Sequence, residues 1–397
     1  MKILVINTGS SSIKYQLFEM DNQRAVALGL VEKIGEDGSR LTHEAGEVRR
    51  QWAKSRLGHR EGMELIVRAL TDPEAGVIAD AAEIGAVGHR VVHGGERFRA
   101  PALIDEEVIA AITANIPLAP LHNPANLIGI EAARALLPAT PQVAVFDTAF
   151  HQTLPPRAFH YGLPYELYEQ HRIRRYGFHG SSHQYVAKQA AKMLGRPLAE
   201  LNLITIHLGN GSSITAIEAG RSVDTSMGMT PLEGLLMGTR SGDLDPSILF
   251  HLAEFFAMSF QDLDRLLNQE SGLKGLAGVN DMRDILSRMK GGDPFSQLAF
   301  DLYVYRVKKY IGAYYAVLGR VDALVFTAGV GENSAEVRAA ICARLERLGI
   351  AIDPARNQAD AAGAREVQAD TSPVKVLVIP TNEELEIAEQ TLAVVSR

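Results

Sequence analysis

Six short runs along the chain are apolar almost without interruption: 3–6, 86–92, 143–146, 203–208, 323–327 and 374–379. Aliphatic and β-branched runs of this length predict buried strands. Between them lie stretches with helical spacing, several with start signals. Asn123 before Pro124, Asp245 before Pro246 and Asp293 before Pro294 each set a capping side chain ahead of a proline suited to the first helical turn. Gly195, Gly319 and Gly349 stand where helices end. Segment 295–318 predicts one long helix and 335–348 another. Strands alternating with helices predict an α/β fold with helices packed on sheets.

The same local pattern occurs twice. A buried run enters Gly9-Ser10-Ser11-Ser12-Ile13 and continues as an alternating strand over 15–19. About two hundred residues later, Asn210-Gly211-Ser212-Ser213-Ile214 leads into 215–218. Each reads as a β-hairpin with a small-residue tip. One hairpin per half points to a duplicated domain. The boundary falls near 146–151, where no low-complexity linker occurs and Pro155-Pro156 is the nearest break.

Composition narrows the class. The 397 residues are enough for two domains, and 46% hydrophobic with 22% charged residues is ordinary for a globular protein. A net charge of −7 argues against nucleic acid or an anionic membrane as main partner, so an anionic substrate needs locally placed cations. Cys342 is the only cysteine, which rules out an intrachain disulfide and suits a reducing cytoplasm. Its helical surroundings favour a packing residue over a nucleophile. No apolar run approaches membrane-spanning length, and Asn7 interrupts the first run too early for a signal peptide.

Familiar nucleotide signatures fail. No Gly-Lys pair exists, so there is no Walker loop; Gly209-Asn210-Gly211 lacks the third glycine of a dinucleotide fingerprint; the protein-kinase set is missing. The two hairpin tips are the alternative scaffold, since small residues let backbone N–H groups approach phosphate and serine hydroxyls can add donors. Lys14 adds a charge beyond the first tip. A third turn, Gly329-Val330-Gly331-Glu332-Asn333, joins a strand to a helix. Asn333 and Glu336 have capping-box spacing, and the glycines leave room for a ligand at the helix start; both readings stand.

Arg90, Arg240 and Arg283 lie at a strand end or in turns, where a guanidinium can fork onto carboxylate or phosphate. Asp147 ends the run 143–146, where ligands of α/β sheets gather; it can orient a nucleophile, hold a cation, or simply cap the next turn. His179 and His183, four apart, have a spacing that can bind zinc. Gly180 separates His179 from the helix that Ser181 or Ser182 would cap, which favours His179 as a loop donor near phosphate. Near the end, Thr381 and Glu384 have capping-box spacing and leave Glu383 for a hard cation.

Together these motifs resemble the acetate kinase family. The likeness rests on residues 7–14 and 207–213, on Phe146-Asp147-Thr148-Ala149-Phe150-His151, on Phe178-His179-Gly180, on 329–333 and on Thr381-Asn382-Glu383-Glu384. It runs from the first residues to almost the last. The resemblance implies two duplicated actin-like (ribonuclease H-like) domains with the active site in the interdomain cleft. One would span 1–147, joined by a C-terminal helix of about 385–397; the other, 148–384, would bind nucleotide and form a homodimer.

The resemblance also implies roles. Asn7 and Glu383 would hold Mg²⁺, with Mn²⁺ as an alternative. Lys14 and His207, Leu208, Gly209, Asn210 and Gly211 would contact the phosphates of ATP or ADP. Asp281, Met282 and Arg283 would surround the nucleotide, with Gly329, Val330, Gly331, Glu332 and Asn333 near the adenosine. Arg90 would bind the substrate carboxylate in a pocket of Val92, Leu121, Phe178 and Pro231. Asp147, His179 and Arg240 would be catalytic, Asp147 chiefly by orienting its neighbours, because a carboxylate nucleophile needs no base. The expected activity is reversible transfer between ATP and acetate, giving acetyl phosphate, in the cytoplasm, with neither nucleic acid nor membrane as partner. A propionate or other short-chain acyl kinase is the near alternative, and a non-catalytic actin-like ATP-binding polymer the distant one.

Overall fold

The computed structural model describes residues 1–120, 122–359 and 362–397, so Leu121 lies outside the described residues. The chain forms two compact units: Met1–Phe150 with Asn382–Arg397, and His151–Thr381.

The first unit is built on strands β1 (Lys2–Thr8), β2 (Ser12–Glu19), β3 (Arg24–Glu32), β4 (Ser39–Ala45), β5 (Val48–Lys54), β6 (Ile84–Val91), β7 (Ala102–Leu103) and β8 (Gln142–Phe146). They form one sheet in the order β5-β4-β3-β2-β1-β6-β8-β7. β1 pairs antiparallel with β2 and parallel with β6, which pairs parallel with β8. Alternation decides the faces: Leu4, Ile6, Ile13 and Leu17 join Met63 and Ile66 of the helix His59–Leu70 in one core. Burying each large aliphatic side chain contributes about 1.5–3 kcal/mol. The helix Glu383–Val395 packs on β1 and β6.

The second unit carries β9 (Asn202–Leu208), β10 (Ser212–Glu218), β11 (Arg221–Thr225), β12 (Ala323–Thr327), β13 (Arg365–Glu366) and β14 (Lys375–Val378), in the order β11-β10-β9-β12-β14-β13. β9 is antiparallel to β10 and parallel to β12, and β12 is parallel to β14. The run β3-β2-β1-β6-β8 is therefore repeated as β11-β10-β9-β12-β14, and the duplicated α/β fold is as expected. Tyr303, Val307 and Ile311 of the long helix Pro294–Leu318 pack against Ile206, Ile214 and Phe326 of this sheet.

All six apolar runs are strands, with bounds shifted by at most two residues. Several predicted caps are not the observed ones. Asp293 does cap, accepting from the N–H groups of Phe295 and Ser296. Asn123 instead lies inside its helix, buried, with its side chain bonded to both backbone groups of His93. Ser334, not Asn333, caps the helix Ala335–Cys342, and Asn382, not Thr381, caps the last helix. Segment 335–348 is broken: Arg344 has φ +63°, and a short 3₁₀ turn, Glu346–Leu348, follows. Cys342 is buried, and burial pushes its thiol up to about 12, which makes it a packing residue. Among the described residues no helix is long and apolar enough to cross a membrane.

Candidate active site

In the first unit the parallel strands β1, β6 and β8 end side by side, with Ile6 opposite His89 and Val91 opposite Phe146. Asn7, Arg90 and Asp147 are carried at those ends. Arg90 forks onto Asp147, Nε to Oδ1 at 3.1 Å and Nη2 to Oδ2 at 2.7 Å, and its Nη1 reaches Asn7 Oδ1 at 3.5 Å. Asp147 is buried and Arg90 half-buried. Burial works against the charge of Arg90, but the carboxylates of Asp147 and Glu383 outweigh it and hold its pKa above the ordinary value.

Asn126 braces this end by accepting from Val92 N at 3.1 Å and donating to the Thr8 carbonyl at 2.9 Å. Its helix, Asn123–Leu136, can approach only because residue 129 is glycine; a Cβ there would stand 2.1 Å from Thr8 Oγ1. Glu383 opens the last helix of the same unit. Burial first, then the neighbouring carboxylates of Asp147 and Glu384, raise its pKa to about 7 against the pull of Arg90 and Lys14. Lys14 is exposed on β2, directly across from Asn7.

The second unit repeats the arrangement with different side chains. β9 ends at His207-Leu208, beside Thr327 of β12, and runs into the tip 209–211. His179 sits left-handed (φ 57°) before the helix Gly180–Leu194. Its ring stacks on His207, with centroids 4.2 Å apart. Arg240 donates from Nη1 to the Pro231 carbonyl at 3.1 Å, and among the described residues no carboxylate pairs with it. Burial lowers its pKa. A Cβ on Gly211 would lie 3.4 Å from both His179 Nε2 and Arg240 Nη1, so these two groups converge on the tip.

Next to the tip opens a cavity of about 820 Å³, in the usual range for a small-molecule site. Gly209 and Asn210 line it with Asp281, Met282 and Arg283, and opposite them stand Gly329, Val330 and Asn333. Gly331 and Glu332 face away from this cavity. The Gly331 carbonyl accepts from buried Arg338, and Glu332 Oε1 accepts from the N–H groups of Ala328 and Thr381. Arg283 donates to Asp281 and holds its carboxyl down at about 2. Val92 and Phe178 are buried and Pro231 half-buried.

Sequence reasoning misjudged the serines of the second tip. Ser212 and Ser213 are fully buried and turned from solvent: Ser212 bonds the Gly209 carbonyl, and Ser213 bonds His179 and His183. Ser182 does not cap its helix; it bonds His207 and Thr381. The one available signal was the spacing of His179 and His183, which sets His183 one helical turn on, toward the same strand.

The sequence matches the acetokinase family over residues 2–389. It is 55% identical to an acetate kinase of Nitratidesulfovibrio vulgaris over 99% of both chains. Its structure resembles the crystal structure of Porphyromonas gingivalis acetate kinase with a TM-score of 0.95, at 45% identity and 99% coverage of each. A propionate kinase from Francisella tularensis matches with a TM-score of 0.93, at 41% identity and 99% coverage of each. A likeness of this depth along the whole chain, joined to strand ends and glycine turns carrying the motifs already described, means that the chain belongs to the acetokinase family.

Proposed function

We propose that this protein is an acetate kinase that moves the γ-phosphoryl group of ATP to acetate, reversibly and with Mg²⁺, by in-line transfer. The observation that carries the reading is the convergence of His179 and Arg240 on the Gly211 tip beside a nucleotide-sized cavity. Phosphoryl transfer requires positioning and charge neutralisation more than covalent chemistry, and these are donors placed for that task. The cavity takes the nucleotide, with Asp281–Arg283 on one wall and Gly329, Val330 and Asn333 on the other. His207–Gly211 follow the phosphates.

Arg90 takes the acetate carboxylate. Asp147 orients Arg90 through the two-point fork and removes no proton, because acetate is already an anion. Val92, just past the strand that carries Arg90, borders the methyl group. Asn7 and Glu383 supply oxygen donors of the kind Mg²⁺ prefers, and the mutually repelling carboxylates of Asp147, Glu383 and Glu384 gain from a nearby cation. Bound Mg²⁺ offsets phosphate charge. Among the described residues no three His, Cys, Asp or Glu side chains form a metal cage, and Mg²⁺ characteristically uses one or two carboxylates with phosphate and water.

The same reading makes the protein a cytoplasmic homodimer. The helix Ser247–Phe256 and the residues after it expose Phe250, Phe255, Phe256 and Phe260, the last 88% exposed, an apolar surface that a second copy covers.

Propionate is the second reading, favoured by the 41% identical propionate kinase. One methylene distinguishes the substrates by only about 1–3 kcal/mol, so some propionate turnover is expected. A single assay decides: ATP and Mg²⁺ with acetate, propionate or butyrate, trapping acyl phosphate with hydroxylamine. The highest kcat/KM is expected for acetate; an equal or higher value for propionate reverses the assignment. No acyl phosphate from any acid, with ATP-dependent sedimentation instead, would identify an actin-like polymer.

A further inference from the structure

Between β11 and the helix Ser247–Phe256 the chain runs through residues 226–246 without helix or strand, and this connection carries both Pro231 and Arg240. A stretch this long without regular structure is uncommon in a compact domain, and its buried backbone groups need partners. Much of it is buried, including 226–228 and 234–238.

Arg175 supplies the first anchor. Its Nη1 donates to the carbonyls of Thr225, Ser226 and Met227, each at 3.0 Å, and its Nη2 donates to Glu233 Oε1. The other oxygen of Glu233 accepts from the Tyr161 hydroxyl, which itself accepts from the Met229 N–H at 3.0 Å. Glu233 thus turns back onto the start of its own loop. It can do so only because residue 228 is glycine: a Cβ there would stand 1.8 Å from Glu233 Oε2. Burial works against the charge of Arg175, and the carboxylate of Glu233 leads the groups that outweigh it. The far end is pinned separately. Asp243 accepts from the Gly234 N–H through Oδ1 and from the Tyr310 hydroxyl through Oδ2, both at 2.8 Å.

Arg240 lies between these anchors. Its Nη1 donates to the Pro231 carbonyl at 3.1 Å, two residues before Glu233. A neutral carbonyl fixes the direction of a guanidinium without neutralising it, whereas a carboxylate does both. The charge pair of this loop, Arg175 with Glu233, therefore holds the frame, and Arg240 keeps its own charge for the tip at Gly211.

We propose that Glu233, held by Arg175 and Tyr161, is a positioning residue that fixes the Pro231 carbonyl and through it the guanidinium of Arg240. The kinetic half of this proposal rests on the role given to Arg240 above; the positioning itself does not.

Two measurements separate these halves. Side-chain ¹⁵N–¹H NMR of the full-length protein follows the Arg240 guanidinium directly, with its signal assigned by its loss in Arg240→Ala. In Glu233→Gln that signal is expected to shift or broaden, because the bracing carboxylate is gone. An unchanged signal overturns the proposal whatever the kinetics.

For the kinetics, Glu233→Gln should lower kcat about tenfold, with both KM values within about twofold. Added to Arg240→Ala, it should change kcat by less than about twofold. A lower melting temperature with kcat intact, or the same kcat loss in both backgrounds, makes Glu233 a fold support and overturns the positioning role. Should Glu233→Gln not fold, Tyr161→Phe, which removes one hydrogen bond to the same carboxylate, decides by the same criteria with an expected loss of about threefold. If Arg240→Ala alone leaves kcat intact, the role of Arg240 is wrong and the kinetic half falls with it, while the NMR result still decides the positioning.

Discussion

The two hairpin tips are nearly the same string of small residues, yet they are finished differently. At the first, Ser10 and Ser11 are exposed, and a Cβ on Gly9 would meet only Ser12, at 3.4 Å and beyond. At the second, the serines point inward, and one imidazole of a stacked pair, that of His179, closes on Gly211 together with Arg240. The arginines differ in the same sense. Arg90 is already paired with Asp147, which fixes its direction and spends part of its charge. Arg240 is half-buried, lacks a carboxylate partner among the described residues and is lowered in pKa by partial desolvation. A pre-paired arginine suits a stable anion that must be held in register. An unpaired, desolvated one gains most when new charge develops beside it, as in a transition state.

The largest expected effect tests that contrast directly. Arg240→Ala should lower kcat by about 10²–10³, as losing one transition-state donor typically does, with the acetate KM changed less than about threefold. A pure KM effect in steady-state kinetics would make Arg240 a second ground-state binder and erase the distinction. Arg90→Ala should act the other way, raising the acetate KM about tenfold or more with a smaller change in kcat. It also leaves Asp147 buried without its cation, so the melting temperature should fall as well. Unchanged kinetics would remove Arg90 from the site.

A smaller effect separates the tips. Gly211→Ala puts a methyl group against His179 and Arg240 and should cost several-fold in kcat/KM, whereas Gly9→Ala meets ordinary contacts and should cost less than about twofold. Equal losses would mean that the tips do the same work. The smallest effect concerns acid stability. Burial depresses His89 in the first unit to about 4. Unfolded histidine titrates near 6.5, so between about pH 6.5 and 4 the unfolded chain binds a proton that the folded chain refuses. Stability is lost as pH falls through that window, by at most about 1.4 kcal/mol per pH unit for each such group. His89→Gln should flatten the slope of melting temperature against pH there; an unchanged slope assigns it to other groups, such as His151, also depressed to about 4.

Much of this was readable from the sequence, for physical reasons. A strand buried on both faces has few polar positions, so 323–327 and 203–208 announced themselves. Glycines at strand-to-helix turns and polar residues at strand ends are also locally visible. Caps were misread where the residue has a distant partner. Thr381 has capping-box spacing, but its hydroxyl is taken by Ser182, 199 positions earlier. Asn123 precedes a proline, but its amide is taken by His93. The serines of the second tip were legible as small and polar, whereas their orientation was not, because it depends on histidines brought in by a helix that starts at Gly180.

One feature of the chain path bears on how the protein is made. The first unit begins at Met1 but includes Asn382–Arg397, and its final helix lies on β1 and β6. On a ribosome, the residues of the second unit are all synthesised before that helix exists. The half that starts first therefore finishes last, and β1 and β6 wait for their cover through the synthesis of more than two hundred intervening residues. That interval leaves apolar strands open to chaperones or to premature association. A nascent chain stalled at Thr381 would carry every residue that lines the cavity of the second unit while the first unit still lacked its last helix.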